Sequence, residues 1–97
     1  MSAIWERARQ VIPGGVNSPV RSFAKIGREP LFVARAAGAL VYDLQNNGYL
    51  DYISSWGALI FGHNFQPVLA KVKESLNRGT SYGLATELEV EFAELLI

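Results

Sequence analysis

Arg21, within the string PGGVNSPVR at residues 13–21, is the side chain of this chain best suited to chemistry, and that chemistry is the holding of a small carboxylate. A guanidinium offers parallel N–H donors that match both carboxylate oxygens. Pro13 and Gly14-Gly15 stop the preceding helix and shape a loop, because proline disfavours helical geometry before it and glycine admits positive φ. Pro19 acts on Ser18 in the same way, so Val20 and Arg21 are predicted to project from a stiff, extended strip. Taken alone, an arginine after a Pro-Val step reads more simply as a solvated surface charge.

The other candidates are fewer. Trp56, inside Ser54-Ser55-Trp56-Gly57, suits either the wall of a pocket or a core indole capping a sheet. Gly57 permits close backbone approach, and the two serines satisfy local turn groups. His63 is the single histidine, and no partner for a metal or general-base role is apparent around it, so it reads as structural. The run Gly79-Thr80-Ser81-Tyr82-Gly83 brackets hydroxyls between glycines but is too short for a phosphate-binding P-loop and lacks its lysine. Lys25, Lys71 and Lys73 are the only lysines. The last two, with Arg78, fall off an apolar helical stripe and read as a solvated face.

The elements that must position these residues are legible from period and punctuation. Ile4, Ala8, Val11 and Ile12 share one stripe, which predicts an amphipathic helix over Ala3 to Ile12. Leu31–Ala34, Ala39–Tyr42 and Tyr49–Ile53 are short β-prone runs, and Asn46-Asn47-Gly48 between the last two predicts a tight type I′ hairpin. A small antiparallel meander follows, with one side expected to bury well. From Gln66 the period becomes helical: Pro67 suits a first position, Val68, Leu69, Val72 and Leu76 form a stripe, and Gly79 is expected at C′. Thr86-Glu87-Leu88-Glu89 is a capping-box signature opening a further helix. That helix reaches Ile97 with no glycine, basic last turn or polar tail, so the chain is expected to be the first part of a longer one.

Composition narrows the partners. Nine basic and nine acidic residues in 97 leave no net charge, which gives nucleic acid or an anionic membrane no footprint. No apolar run approaches the roughly 20 residues of a membrane span, and the amino terminus leads into a charged helix. There is no cysteine, so disulfides and thiolate metal sites are excluded. A soluble, cytoplasmic chain without a metal site is expected.

The strings IPGGVNSPVR, YDLQNNGYLDYISSWG, FGHNFQP and RGTSYGLATELEVEFAEL, in this order, resemble the amino-terminal region of the glutamate-1-semialdehyde 2,1-aminomutase family of class III aminotransferase-like enzymes. The resemblance covers essentially the whole chain, including its loops. Gly27-Arg28-Glu29-Pro30 and Leu84-Ala85 depart from the family pattern and put only loop geometry in doubt. The fold class implied is α+β: an amino-terminal helix, a three-stranded antiparallel meander and following helices of a fold-type I pyridoxal-phosphate transferase, its major-domain sheet absent. Residues 1–30 would be helix and substrate loop, 31–56 the meander, and 57–97 helices leading to the major domain.

The resemblance further implies substrate-binding roles for Arg21, Ser18 and Trp56, with no catalytic, cofactor-binding or metal residue in this segment. Pyridoxal 5'-phosphate would be held covalently by a lysine beyond it, so the segment alone is expected to be inactive. The parent would convert glutamate 1-semialdehyde, an amino-aldehyde carboxylate, to 5-aminolevulinate in tetrapyrrole biosynthesis, as a homodimer. Another class III aminotransferase, or a small interaction module without enzymatic activity, remains the alternative.

Overall fold

The computed structural model describes every residue from Met1 to Ile97, in two compact units, Met1–His63 and Asn64–Ile97. In the first unit, helix α1 spans Ala3–Val11. Its start is held from far along the chain. Glu29 accepts the Ser2 hydroxyl at 2.7 Å and the Ser2 backbone N–H at 3.0 Å. A carboxylate there faces the positive end of the helix, and the Ser2 hydroxyl, then the Ser2 amide, hold the Glu29 carboxyl below its ordinary range. The expected stripe is only partly covered, with Ala8 buried and Val11 79% exposed.

Beyond Ile12, Pro13–Gly15 form a 3₁₀ turn that packs against α1. Gly15 is buried, with φ +74°, and a Cβ on it would run into the Trp5 ring and lie 3.1 Å from Arg9 Cγ. Glycine is required here for close approach as much as for backbone freedom. Arg9 in turn lies over the Trp5 ring, 5.9 Å from its centroid.

Strands β1 (Val33–Ala37), β2 (Leu40–Asp43) and β3 (Gly48–Leu50) form the expected antiparallel meander in the order β1-β2-β3. Arg35 pairs with Tyr42, and Tyr42 with Gly48. The Arg35 guanidinium sits 3.4 Å from the Tyr42 ring centroid, an attraction between cation and ring quadrupole. Gly48 leaves room for that ring, since a Cβ there would come 3.3 Å from Tyr42 Cε1.

Three expectations for the sheet are corrected. β1 lies further along the chain than Leu31–Ala34, while β3 ends at Leu50 because the Asp51 carboxylate takes the next backbone amides. The turn is not an Asn-Gly type I′ pair. Asn46 alone adopts positive φ (+66°), Asn47 bonds back to Asp43, and Gly48 already belongs to β3. Nor is one face well buried: Tyr49 is 42% and Leu50 55% exposed, and short strands offer little area to cover.

The buried residue of the sheet is Asp43, 6% exposed. Its Oδ1 accepts the amides of Gln45 and Asn47 at 2.9 and 2.8 Å, and its Oδ2 accepts Asn47 Nδ2 at 2.9 Å and the Tyr49 hydroxyl at 3.0 Å. These donors, led by the Asn47 side chain, hold the Asp43 carboxyl below its ordinary value of 3.8. A depressed carboxyl contributes stability that is complete above the unfolded value and lost as pH falls through the lower folded one. Acid titration below pH 3.8 is therefore expected to loosen the β2–β3 turn, raising hydrogen exchange at the Asn47 amide in step with Asp43 protonation. Asp43→Asn should raise that exchange already at neutral pH.

In the second unit, helix α2 spans Gln66–Leu76, with Pro67 in its first turn and Lys71 paired to Glu74 at 3.0 Å. Its stripe is about half exposed at Val68, Val72 and Leu76. Gly79 is not at C′. The helix closes at Asn77 in right-handed geometry, and a tightened last turn, with Arg78 N–H on the Ser75 carbonyl at 3.0 Å, moves the positive φ of Gly79 (+103°) one residue further on. Helix α3 spans Glu87–Leu96 from an extended Thr86. The capping-box side-chain bonds do not form; the Glu89 amide instead meets the Thr86 carbonyl at 3.2 Å. Glu87 and Glu89 favour the helix start by charge. No helix is long and apolar enough to cross a membrane.

Candidate functional site

The segment carrying Ser18 and Arg21 is a turn, not the extended strip expected. Ser18 is extended (φ −149°, ψ 130°), but Pro19–Ser22 wind into a 3₁₀ helix with proline in its first turn. Proline constrains the residue before it, while its own fixed φ is already helical, which is why the strip ends at Ser18. The Arg21 amide donates to the Ser18 carbonyl at 3.0 Å, so the turn folds these two residues together. Ser22 braces it, its hydroxyl donating to the Pro19 carbonyl at 2.8 Å. Phe23 then breaks the helix with φ +54°. Arg21 is exposed, and its guanidinium has no ion-pair partner within the chain.

Trp56 is 72% exposed within this chain. It sits in a left-handed turn, with φ of +48° at Ser54, +52° at Ser55, +62° at Trp56 and +87° at Gly57. Three consecutive side-chain-bearing residues in this region are costly, at about 1–2 kcal/mol each, so surrounding bonds must hold them there. The Gly57 amide lies 3.1 Å from the Ile53 carbonyl, and the Leu59 amide 3.1 Å from that of Ser54. Ser18 and Arg21 are thus adjacent through the 3₁₀ turn, whereas Trp56 makes no hydrogen bond or ring contact with either. A concavity of about 1360 Å³ within the second unit, between α2 and the start of α3, is lined by none of the three.

His63 has the partner that sequence reasoning did not find. Its Nε2–H donates to Asp51 Oδ2 at 2.6 Å, both side chains being mostly buried. The other oxygen of Asp51 accepts the amides of Ile53 at 2.8 Å and Ser54 at 3.1 Å. The His63 ring, then the Ile53 amide, hold the Asp51 carboxyl below its ordinary range. The His63 backbone also exchanges two hydrogen bonds with Gly38, at 2.8 and 2.9 Å. Residues twelve apart in a loop follow no period, so only the Asx-like setting of Asp51 before Ser54-Ser55 hinted at its role.

A lysine that forms a Schiff base needs withdrawal from water or a neighbouring cation to give up its proton. Lys25, Lys71 and Lys73 are all exposed, and Lys71 is also paired with Glu74. They do not fit a covalent anchor for pyridoxal phosphate.

Among curated proteins, the glutamate-1-semialdehyde 2,1-aminomutase of Desulfitobacterium hafniense (strain DSM 10664 / DCB-2) is 54% identical over 93 residues, 96% of this chain. The chain matches glutamate-1-semialdehyde 2,1-aminomutases. It spans about 22% of the length of that relative. No protein-family model matches the chain. Among solved structures, an omega-transaminase from Sphaerobacter thermophilus superposes with a TM-score of 0.84 at 34% identity, covering 96% of this chain and 20% of that one. A transaminase with bound pyridoxal phosphate gives 0.82 at 33% identity, covering 95% and 21%. The α+β arrangement of helix, meander and following helices is therefore the one found in this stretch of pyridoxal-phosphate transaminases, as expected.

Proposed function

We propose that this chain is the carboxylate-binding part of an aminomutase that converts glutamate 1-semialdehyde to 5-aminolevulinate for tetrapyrrole biosynthesis. The observation that carries the reading is the 54% identity to the Desulfitobacterium hafniense aminomutase over 96% of this chain. The Pro19–Ser22 turn is consistent with it, because its backbone bond joins Ser18 to Arg21 and the Arg21 guanidinium has no ion-pair partner within the chain. Arg21 would grip the substrate carboxylate with parallel N–H donors, Ser18 would add a third, and the Trp56 indole would form a wall that excludes water. Pyridoxal 5'-phosphate would supply the amino-group transfer, held by residues outside this chain. The working protein would be a cytoplasmic homodimer.

The test replaces the matching segment of the Desulfitobacterium hafniense aminomutase with this chain. The segment-swapped enzyme is expected to form 5-aminolevulinate from glutamate 1-semialdehyde. The 97-residue chain alone is expected to leave the absorbance of added pyridoxal phosphate unshifted. A swapped enzyme that binds the cofactor and transaminates other amino donors, yet forms no 5-aminolevulinate, would instead assign the segment to a class III aminotransferase.

A further inference from the structure

Tyr52–Gly62 is an apolar loop in which Tyr52, Trp56, Ile60 and Phe61 are 66–89% exposed. Its two ends meet. Asp51, just before it, and His63, just after it, are joined by the 2.6 Å side-chain bond. Both are also tied to the β1–β2 connection: the Asp51 amide donates to the Ala39 carbonyl at 2.8 Å, and His63 bridges Gly38 in both directions. The result is a closed Ω-type loop. Asp51 is the junction, since Oδ2 takes the histidine while Oδ1 takes the amides of Ile53 and Ser54 that begin the left-handed turn. A carboxylate fixed at both oxygens cannot rotate without releasing one set of donors.

We infer that Asp51 and His63 are positioning residues, whose hydrogen bond shuts the base of this loop and fixes the left-handed turn that sets the Trp56 indole. Resting on the proposed substrate-wall role of Trp56, the inference adds that substrate affinity depends on a pair that touches no substrate. The bond joins an anionic acceptor to a mostly buried donor, a type whose loss weakens a dependent step by about tenfold or more. The left-handed backbone supplies no local preference for its own conformation, so release of Asp51 lets the turn relax.

The experiment uses the segment-swapped enzyme labelled with 5-fluorotryptophan, the Trp56 resonance being assigned by its loss in Trp56→Phe. His63→Ala is expected to shift and broaden that resonance, and His63→Gln, which keeps an N–H donor, to restore it in part. His63→Ala should raise the KM for glutamate 1-semialdehyde by about tenfold with little change in kcat. Adding Trp56→Ala to His63→Ala should then cost less than the two single changes multiplied together. Should His63→Ala fail to fold, Asp51→Asn with the same readouts decides. A Trp56 resonance unmoved by loss of the pair, or fully multiplicative effects on KM, overturns the inference. The resonance reports the indole's placement whether or not the indole touches substrate, so a Trp56→Ala variant with normal KM would sink the pocket wall and leave the positioning result to stand or fall on the spectrum.

Discussion

In the segment-swapped enzyme, Arg21→Ala is expected to raise the KM for glutamate 1-semialdehyde more than any other single change in this chain. Removing one partner of a charged hydrogen-bonding pair that bound substrate withdraws from water costs roughly 2–5 kcal/mol, much of it the penalty of leaving the other charge unpaired. That range corresponds to roughly 30-fold to a few thousand-fold in affinity. Arg21→Lys should recover only part of the loss, because an ammonium cannot present two parallel N–H donors. Ser18→Ala removes a neutral donor and should be milder, about tenfold. The check is steady-state kinetics together with competition by an unreactive dicarboxylate. An Arg21→Ala enzyme that saturates like its parent would refute the assignment, and the turn at Pro19–Ser22 would then be structural alone.

The largest expected effect on structure belongs to Gly62→Ala. Gly62 has φ +79°, and a Cβ on it would lie 2.7 Å from the Gly38 carbonyl oxygen and 3.0 Å from its carbon. That obstacle is backbone, pinned by the two hydrogen bonds between Gly38 and His63, so it cannot rotate away as a side chain would. Left-handed strain of about 1–2 kcal/mol and overpacking of about 1–3 kcal/mol act together, for about 2–5 kcal/mol against the closed loop. Hydrogen exchange at the His63 amide, measured in the swapped enzyme, should accelerate by roughly 30-fold or more. Gly57→Ala is the control: φ is +87° there, yet nothing lies within 4 Å of the added Cβ, so only the strain applies. Equal acceleration by both substitutions would show that the close approach to Gly38 carries no weight.

Much of the fold was legible because it follows local rules. α1, α2 and α3 announce themselves through period, through Pro67 and through Thr86, and the meander through three β-prone runs. Their finer geometry was not legible where two local rules compete. Pro19 fixes both an extended Ser18 and a helical φ of its own, and the structure shows the second continuing through Arg21. Asn46-Asn47-Gly48 offers two positions for positive φ, and the four acceptor bonds of Asp43 select Asn46. Thr86 occupies its cap position without the side-chain bonds that the pattern promises, because the Glu89 amide is already met by a backbone carbonyl.

For the site, Arg21 stood out by residue type and by the proline before it, Ser18 by the family resemblance, and the structure folds them into one turn. Trp56 stood out by its neighbours, and its left-handed turn begins at the local bonds from the Ile53 and Ser54 amides to Asp51, which residue type alone did not show. The Asp51–His63 pair was invisible because it is not local. Its two members are brought together by the way the chain returns to Gly38, and no spacing in the sequence encodes that return.

The handedness of residues 54–57 has a chemical corollary. A backbone at these angles is the native habit of mirror-image amino acids, so this stretch keeps L-residues in a shape that their own stereochemistry opposes. A synthetic peptide of residues 54–57 alone would coil the other way, because the Asp51 carboxylate and the Ile53 carbonyl that brace the inversion lie just outside it. The indole is thus presented by a segment held in its form by the carboxylate at its base, which makes its direction adjustable through Asp51 without any exchange of the aromatic ring itself.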